Sequence, residues 1–254
     1  MKFLNSKKGT IVLTSVAVAL LLVSGIGSTQ AALTYFSENY TAQVEMKDIG
    51  VTLVETSAQS TKDISSRDYT GSDDAWDTTQ GALLTDMLEE SDNQLQLGRA
   101  YKEELSVKNT GTINEYVRVR IYKSWTDKDG NKETTLSPSL IILHMTNNGW
   151  IIDEDASTEE RTVLYWPNIL AVGETTSALS DTLTIDSSIG NKVTKTTTVE
   201  DGVTKTTTKF NYDGVKFNLK AEVDAVQTHN VKDAIKSAWG VDVNVADDGT
   251  ISLQ

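Results

Sequence analysis

Few side chains in this 254-residue sequence have the chemistry of a catalytic or metal-binding group. It has two histidines, His144 and His229, and no cysteine, so a thiolate nucleophile, a disulfide framework and a thiolate metal site are excluded. A zinc protease most often has two histidines one helical turn apart with a glutamate beside them, and no HExxH motif is present. His144 lies in an apolar run, which is typical of a packed or edge histidine, and His229 precedes Asn230, the predicted cap of a helix. We therefore expect no catalytic residue, no metal site and no cofactor.

Acidic side chains are the second group that could bind an ion. Asp127, Asp129 and Asn131 have the opening spacing of an EF-hand calcium loop, but the glycine at its sixth position and the glutamate at its twelfth are missing. Asp129-Gly130 instead predicts a turn between strands. Acids also cluster in residues 56–95 without a fixed ligand spacing, which favours a solvated acidic loop insertion over a calcium site. One short helix is predicted within that loop from the spacing of four apolar residues: Leu83, Leu84, Met87 and Leu88.

The charge of the chain limits its partners. The formal net charge is −13, and nucleic-acid binding needs a basic face that displaces counterions from phosphates. We therefore expect no nucleic-acid partner.

The N-terminus has the pattern of an export signal. Lysines precede an uncharged apolar run, which is followed by the small and polar stretch SGIGSTQA. This pattern predicts a signal peptide over residues 1–31 with cleavage between Ala31 and Ala32, so the chain would be secreted. The alternative is a retained membrane anchor, because the uncharged segment is long enough to span. Cleavage would remove three lysines and no acid, which leaves a net charge of −16.

The elements that would carry any site are mainly strands. The stretch YKEELSVKNTGTINEYVRVRIYKSW, residues 101–125, contains two runs with the period of two that a half-buried strand requires, around the turn-forming residues NTGT. We interpret it as a β-hairpin at the heart of a β-sandwich. A long strand is predicted in VKFNLKAEVDAVQ, then one helix in HNVKDAIKSAWG that plugs one end of the sandwich, then a last hairpin. VTKTTT occurs twice around Asp201-Gly202, which predicts a projecting Thr-rich hairpin within residues 186–214.

Four stretches of the sequence resemble one known family in order along the chain. They are GSTQAALTYFSENY, LSVKNTGTINEYVRVRIY, LYWPNILAVGETTSAL and LKAEVDAVQTHNVKDAIKSAW. Together they resemble the TasA/camelysin family of exported Gram-positive matrix proteins. The resemblance implies a jelly-roll β-sandwich over residues 32–254, processing by a dedicated signal peptidase, and assembly into extracellular biofilm fibres as a homopolymer, with other matrix or cell-wall components as further partners. Camelysin relatives have also been described as cell-surface metalloproteases.

The expected function is therefore a fibre-forming matrix subunit, with residues 32–40 as a strand donated to the next subunit. Cleavage would leave this apolar segment at the new terminus, where an unpaired sheet edge of another subunit could accept it. Its apolar side chains are Leu33, Tyr35, Phe36 and Tyr40. An ordinary first strand within its own domain is the alternative for this segment. For the whole chain the alternatives are a monomeric surface adhesin or binding module, and a camelysin-like metalloprotease.

Overall fold

The computed structural model describes residues 48–69, 76–78, 81–89, 94–210 and 212–254. The structure is mostly β-strand (47%), so the all-β prediction is confirmed. Strands are numbered β1 to β16 in chain order, and the single α-helix in this part of the chain is α1. The strands are β1 Gly50–Thr56, β2 Thr61–Tyr69, β3 Trp76–Thr78, β4 Ala100–Lys102, β5 Glu104–Asn109, β6 Glu115–Thr126, β7 Lys132–Glu133, β8 Ile141–Met145, β9 Ile151–Ile152, β10 Arg161–Tyr165, β11 Ser180–Ile185, β12 Val193–Glu200, β13 Val203–Phe210, β14 Lys216–Gln227, β15 Val243–Val245 and β16 Ile251–Leu253; α1 is Val231–Trp239. Short 3-10 helices cover Pro138–Leu140 and Ser187–Asn191.

The strands form three larger sheets and two hairpins. The first sheet has the order β3-β2-β1-β5, the second β14-β6-β10-β9 with β7 beside β6, and the third β4-β11-β8. The first and third sheets are joined through β5, which forms backbone hydrogen bonds with the segment just before β11. The Leu179 amide, for example, donates to Leu105 O at 2.7 Å. All pairings within these sheets are antiparallel.

One core lies between these sheets. Apolar side chains from alternate positions of β1, β5, β6, β11 and β14 form a single buried cluster, as expected where each strand has one face towards the interior. Its fully buried members include Val51, Leu105, Val119, Ile121 and Leu183.

A second cluster covers the other face of the β6 sheet. Tyr116, which the alternation predicts to face outward, is buried there against Ile235 and Trp239 of α1. The prediction that the helix plugs one end of the sandwich is therefore wrong, because outward residues of β6, β10 and β14 are apolar enough to hold it on the sheet. Asn230 precedes the helix in a left-handed conformation without a side-chain capping bond, and Gly240 ends it with φ 79°. Within the described residues, no helix has both the length and the apolar character to cross a membrane.

The predicted central hairpin is wrong in its pairing. Both strands exist, but β5 pairs with β1 in one sheet, whereas β6 pairs with β10 and β14 in another. The residues between them form an arch from sheet to sheet. Asn109 supports it by donating its side-chain amide to the carbonyl oxygens of Ile113 at 2.8 Å and Leu170 at 3.0 Å.

The arch also forms hydrogen bonds with the start of β1. The amides of Thr110 and Gly111 both donate to Gly50 O at 2.9 Å, and the Gly50 amide donates to Glu115 Oε1 at 2.8 Å. The first residues of β1 are therefore bonded to the connection between two sheets.

The predicted acidic loop over residues 56–95 is largely wrong. It contains β2, which pairs along the whole of β1 through a register shift at Leu53/Val54, and β3 beyond it. The first three residues of β2, Thr61, Lys62 and Asp63, are polar and exposed, so the hydrophobic alternation that marks a half-buried strand is missing there. The predicted helix carried by Leu83, Leu84, Met87 and Leu88 is also absent, because Leu84 has φ 64° and residues 83–88 form bends and turns before a 3-10 conformation at Glu89.

The Thr-rich segment forms the hairpin β12–β13, with Thr196 opposite Thr207 and with Asp201 and Gly202 at the turn in left-handed conformations. Every residue of β13 is exposed, so the hairpin contributes nothing to the core.

Candidate functional site

The two histidines lie in unrelated places. His144 is on β8, where its Nδ1 is 2.8 Å from Asp181 Oδ1 on β11, and its side chain is 63% exposed. That hydrogen bond, after one from Thr182, holds the pKa of the Asp181 carboxyl below its usual range. His229 is exposed in the turn before α1. In the described part of the chain, no group of three His, Asp or Glu side chains is arranged to hold a metal ion.

The Asp127 loop is a turn, as the sequence predicts. The Asp127 carboxylate accepts the backbone amides of Asp129 and Asn131, both at 2.9 Å, which holds the pKa of that carboxyl low and closes the turn between β6 and β7.

The residues proposed for processing and polymerisation lie outside the described residues. They are Ala31 and Ala32 at the predicted cleavage point, and Leu33, Tyr35, Phe36 and Tyr40 in the predicted donor strand. The described residues contain the surface that could accept such a strand.

The long strand β14 ends the order of its sheet. Its twelve residues pair with β6 from Gln227↔Glu115 to Lys216↔Thr126, and across residues 216–223 no other described strand pairs with it. An edge of this length presents a row of backbone amide and carbonyl groups to which an extended peptide can add.

The same end of β14 is only partly covered on its core face. Val223 and Ala225 are buried, but Phe217, Leu219 and Ala221 are only half-buried although they pack against the main cluster. Trp125 of β6 contacts Phe217 edge to face, with ring centroids 6.3 Å apart. The core thus thins towards the start of β14.

An apolar cavity of about 380 Å³ occupies this thin end. Lys216 and Phe217, the first two residues of β14, form part of its wall, and Lys216 is the one charged residue among the described residues that line it. The apolar wall consists of Met87, Leu88, Leu95, Leu97, Trp125, Ile185, Ile189, Tyr212, Val215 and Phe217. We call this the β14 cavity; its size and lining suit one or two large apolar side chains.

Two carboxyl groups are buried near the residues that line the cavity. Glu55 of β1 is opposite Leu105, and Glu103 precedes Leu105 by two positions, so both share the core-facing phase of adjacent strands. Glu103 is 0% exposed and Glu55 is 4% exposed. Burial, and then the negative charge of Glu55, raises the pKa of the Glu103 carboxyl to about 9.

A proton on Glu103 allows the two buried carboxyl groups to form a hydrogen bond with each other. When Glu103 is ionised, neither of its oxygens has a hydrogen-bond partner among the described residues, but a protonated Glu103 can donate to Glu55. Glu55 Oε1 also accepts the amide of Leu84 at 2.7 Å.

Sequence reasoning missed both the cavity and the carboxyl pair. The cavity is lined by five separate segments of the chain, and no residue spacing in the sequence indicates that these segments lie together. The pair did leave a signal: Glu55 continues the inward series of Val51 and Leu53, and Glu103 lies in phase with Leu105 and Val107. An acid at a core position is the informative observation there.

No protein-family model, curated protein or solved structure matches this chain.

Proposed function

We propose that this chain is a secreted structural subunit of extracellular biofilm-matrix fibres, as its resemblance to the TasA/camelysin family implies. Subunits polymerise head to tail when residues 32–40 of one copy add to the outer edge of β14 in the next. The jelly-roll connectivity and the cleavage after Ala31 belong to the same proposal.

The observation that carries the proposal is the edge of β14 beside the β14 cavity, where no other described strand pairs with residues 216–223. An added strand would satisfy the backbone groups along residues 216–223, which is eight positions of edge for a donor of nine residues. At about 3.3 Å per residue, such a donor spans roughly 30 Å.

Side chains of the donor would supply the apolar surface that the end of the core lacks. Leu33, Tyr35, Phe36 and Tyr40 are large, and the half-buried Phe217 faces the cavity. Burying a large apolar side chain contributes about 1.5–3 kcal/mol, so two of them would make strand addition specific as well as favourable.

The contact is head-to-tail, since the donor and the acceptor are different parts of the surface. A heterologous contact of this kind does not close on itself unless its rotation forms a ring, so it yields a filament. The acidic charge of the chain opposes lateral association of filaments at low salt.

The test is deletion of residues 32–40 from the mature chain, followed by electron microscopy. The deleted protein should remain folded and monomeric, and the free peptide ALTYFSENY should cap growth of the intact chain. A scrambled peptide of the same composition is the control. Filaments of unchanged width from the deleted protein would refute strand donation.

The same preparation separates the alternatives. A monomeric adhesin would show no filaments from the intact chain, and a metalloprotease would show chelator-sensitive cleavage of unfolded substrates that disappears in His144→Ala or His229→Ala.

A further inference from the structure

The buried pair of Glu55 and Glu103 lies under a short stretch that has two roles. Residues 81–89 are tied to the pair through the Leu84 amide, and two of their side chains, Met87 and Leu88, line the β14 cavity. Met87 is buried in the main core cluster, so the stretch is seated on the core and is not a detached loop.

A second set of contacts holds the same stretch at Asp86. The Asp86 carboxylate accepts the Ser60 hydroxyl at 2.7 Å and pairs with the ammonium of Lys62 on β2. This pairing lowers the pKa of Asp86 and raises the pKa of Lys62, to which Glu55 and Glu89 contribute weakly. Lys62 also stands opposite Glu55 across the β1–β2 ladder, but its ammonium is bound by Asp86 at the surface, and the charge of Glu55 acts on it more weakly than that of Asp86.

The other charged neighbours point to solvent. The side chains of Glu104, next to Glu103, and Asp181, whose carbonyl oxygen accepts the Glu103 amide, are 39% and 42% exposed. Among the described residues, Glu103 therefore has Glu55 as its one acidic neighbour within the buried site, and the cation that stands opposite Glu55, Lys62, is already bound by Asp86.

We infer that Glu55 and Glu103 form a proton-dependent latch that seats residues 81–89 on the core. With one proton, the Glu103 carboxylic acid donates to the Glu55 carboxylate, which in turn accepts the Leu84 amide. As the pH rises, that proton passes to solvent, two carboxylates face each other, and the Leu84 tie is released with the stretch that carries it.

The latch also sets the shape of the β14 cavity, because Met87 and Leu88 move with Leu84. This link to assembly rests on the strand-accepting function proposed above. Growth of filaments should accordingly be faster near pH 6 than near pH 9.5.

Hydrogen exchange tests the latch without reference to assembly. Protection factors, which correct for the chemical exchange rate, are measured for peptides covering residues 81–89 and for β6 between pH 6 and 9.5. In the unaltered chain, protection of residues 81–89 should fall at least about tenfold, the change expected for one pH unit of linked titration, while β6 stays protected.

Two matched variants assign the effect to the pair. Glu103→Gln keeps the donor to Glu55 but does not titrate, so its protection at residues 81–89 should be independent of pH. Glu104→Gln, one residue away and facing solvent, should behave as the unaltered chain does.

Unchanged protection in the unaltered chain, or an undiminished pH response in Glu103→Gln, would overturn the latch. If Glu103→Gln does not fold, Glu55→Gln replaces it: Glu103 still titrates, but no second charge faces it and the amide introduced at position 55 can donate to its carboxylate, so the fall in protection at high pH should be smaller than in the unaltered chain, and an undiminished fall would overturn the latch. Loss of protection with an unchanged rate of filament growth would support the latch and contradict the location of the acceptor.

Discussion

A charge placed at the mouth of the β14 cavity provides a sharp test of the acceptor. Leu95 lines the cavity and is 38% exposed, so Leu95→Glu should fold normally, since a surface substitution changes stability by about 0.5 kcal/mol or less. In the accepting state the donor would cover this position, and the carboxylate would lose water that the Lys216 ammonium, which also lines the cavity, replaces only in part.

The expected cost follows from that desolvation. Leaving a neutral polar group without a partner in a protein costs about 1–3 kcal/mol, and we take this as a lower bound for a carboxylate whose lost water is partly replaced by Lys216. This corresponds to a roughly 5- to 150-fold weaker binding of the donor.

Affinity for a fluorescently labelled ALTYFSENY peptide, measured by anisotropy, gives this ratio directly. Ile142→Glu is the control, because Ile142 is 40% exposed on β8 and does not line the cavity. Equal peptide affinity for Leu95→Glu and Ile142→Glu would refute the reasoning, whatever the two variants do to filament number.

Three further predictions concern the fold and its processing. Gly111→Ala should cost about 2–3 kcal/mol in urea denaturation, because a Cβ there would lie 2.6 Å from two backbone atoms, whereas Gly130→Ala, in open space at φ 86°, should cost about 1 kcal/mol; the reverse order would contradict this account of the arch. Arg118→Ala should cost about 2 kcal/mol, less than the 3–5 of a fully orphaned buried charge, because Asp224 keeps a second arginine at 3.0 Å; a change below 0.5 kcal/mol would show that the pair contributes little. N-terminal sequencing of secreted protein should begin at Ala32, and chains that retain the N-terminal methionine in a membrane fraction would contradict cleavage.

The elements that the sequence predicts well are those whose partners do not matter to the pattern. The alternation in β6 and β14 indicates a buried and a solvent-facing side, and both strands are found where it predicts them. The helix α1 follows from its apolar spacing and from Gly240 at its end.

The pairing of strands is a different matter, because alternation states which residues face inward but not which strand lies alongside. The sequence of β5 and β6 predicts a hairpin, yet the backbone hydrogen bonds of β5 are made with β1 in one sheet and those of β6 with β14 in another. β2 was missed because its first residues are exposed on an outer strand and carry no hydrophobic alternation. The candidate site was beyond prediction for a related reason: the β14 cavity depends on which distant segments meet at one end of the core.

The hydrogen bonds between the arch and the start of β1 have a mechanical consequence. β1 lies between β2 and β5, and a lengthwise pull on its N-terminal end loads both ladders in shear, with the bonds at Gly50 resisting first. Bonds loaded in parallel must break together, whereas those of a peeled edge strand break one at a time. Because the arch joins β5 of one sheet to β6 of another, tension entering at Gly50 is divided between two sheets, so the described part of the chain would bear a lengthwise load without unravelling from β1.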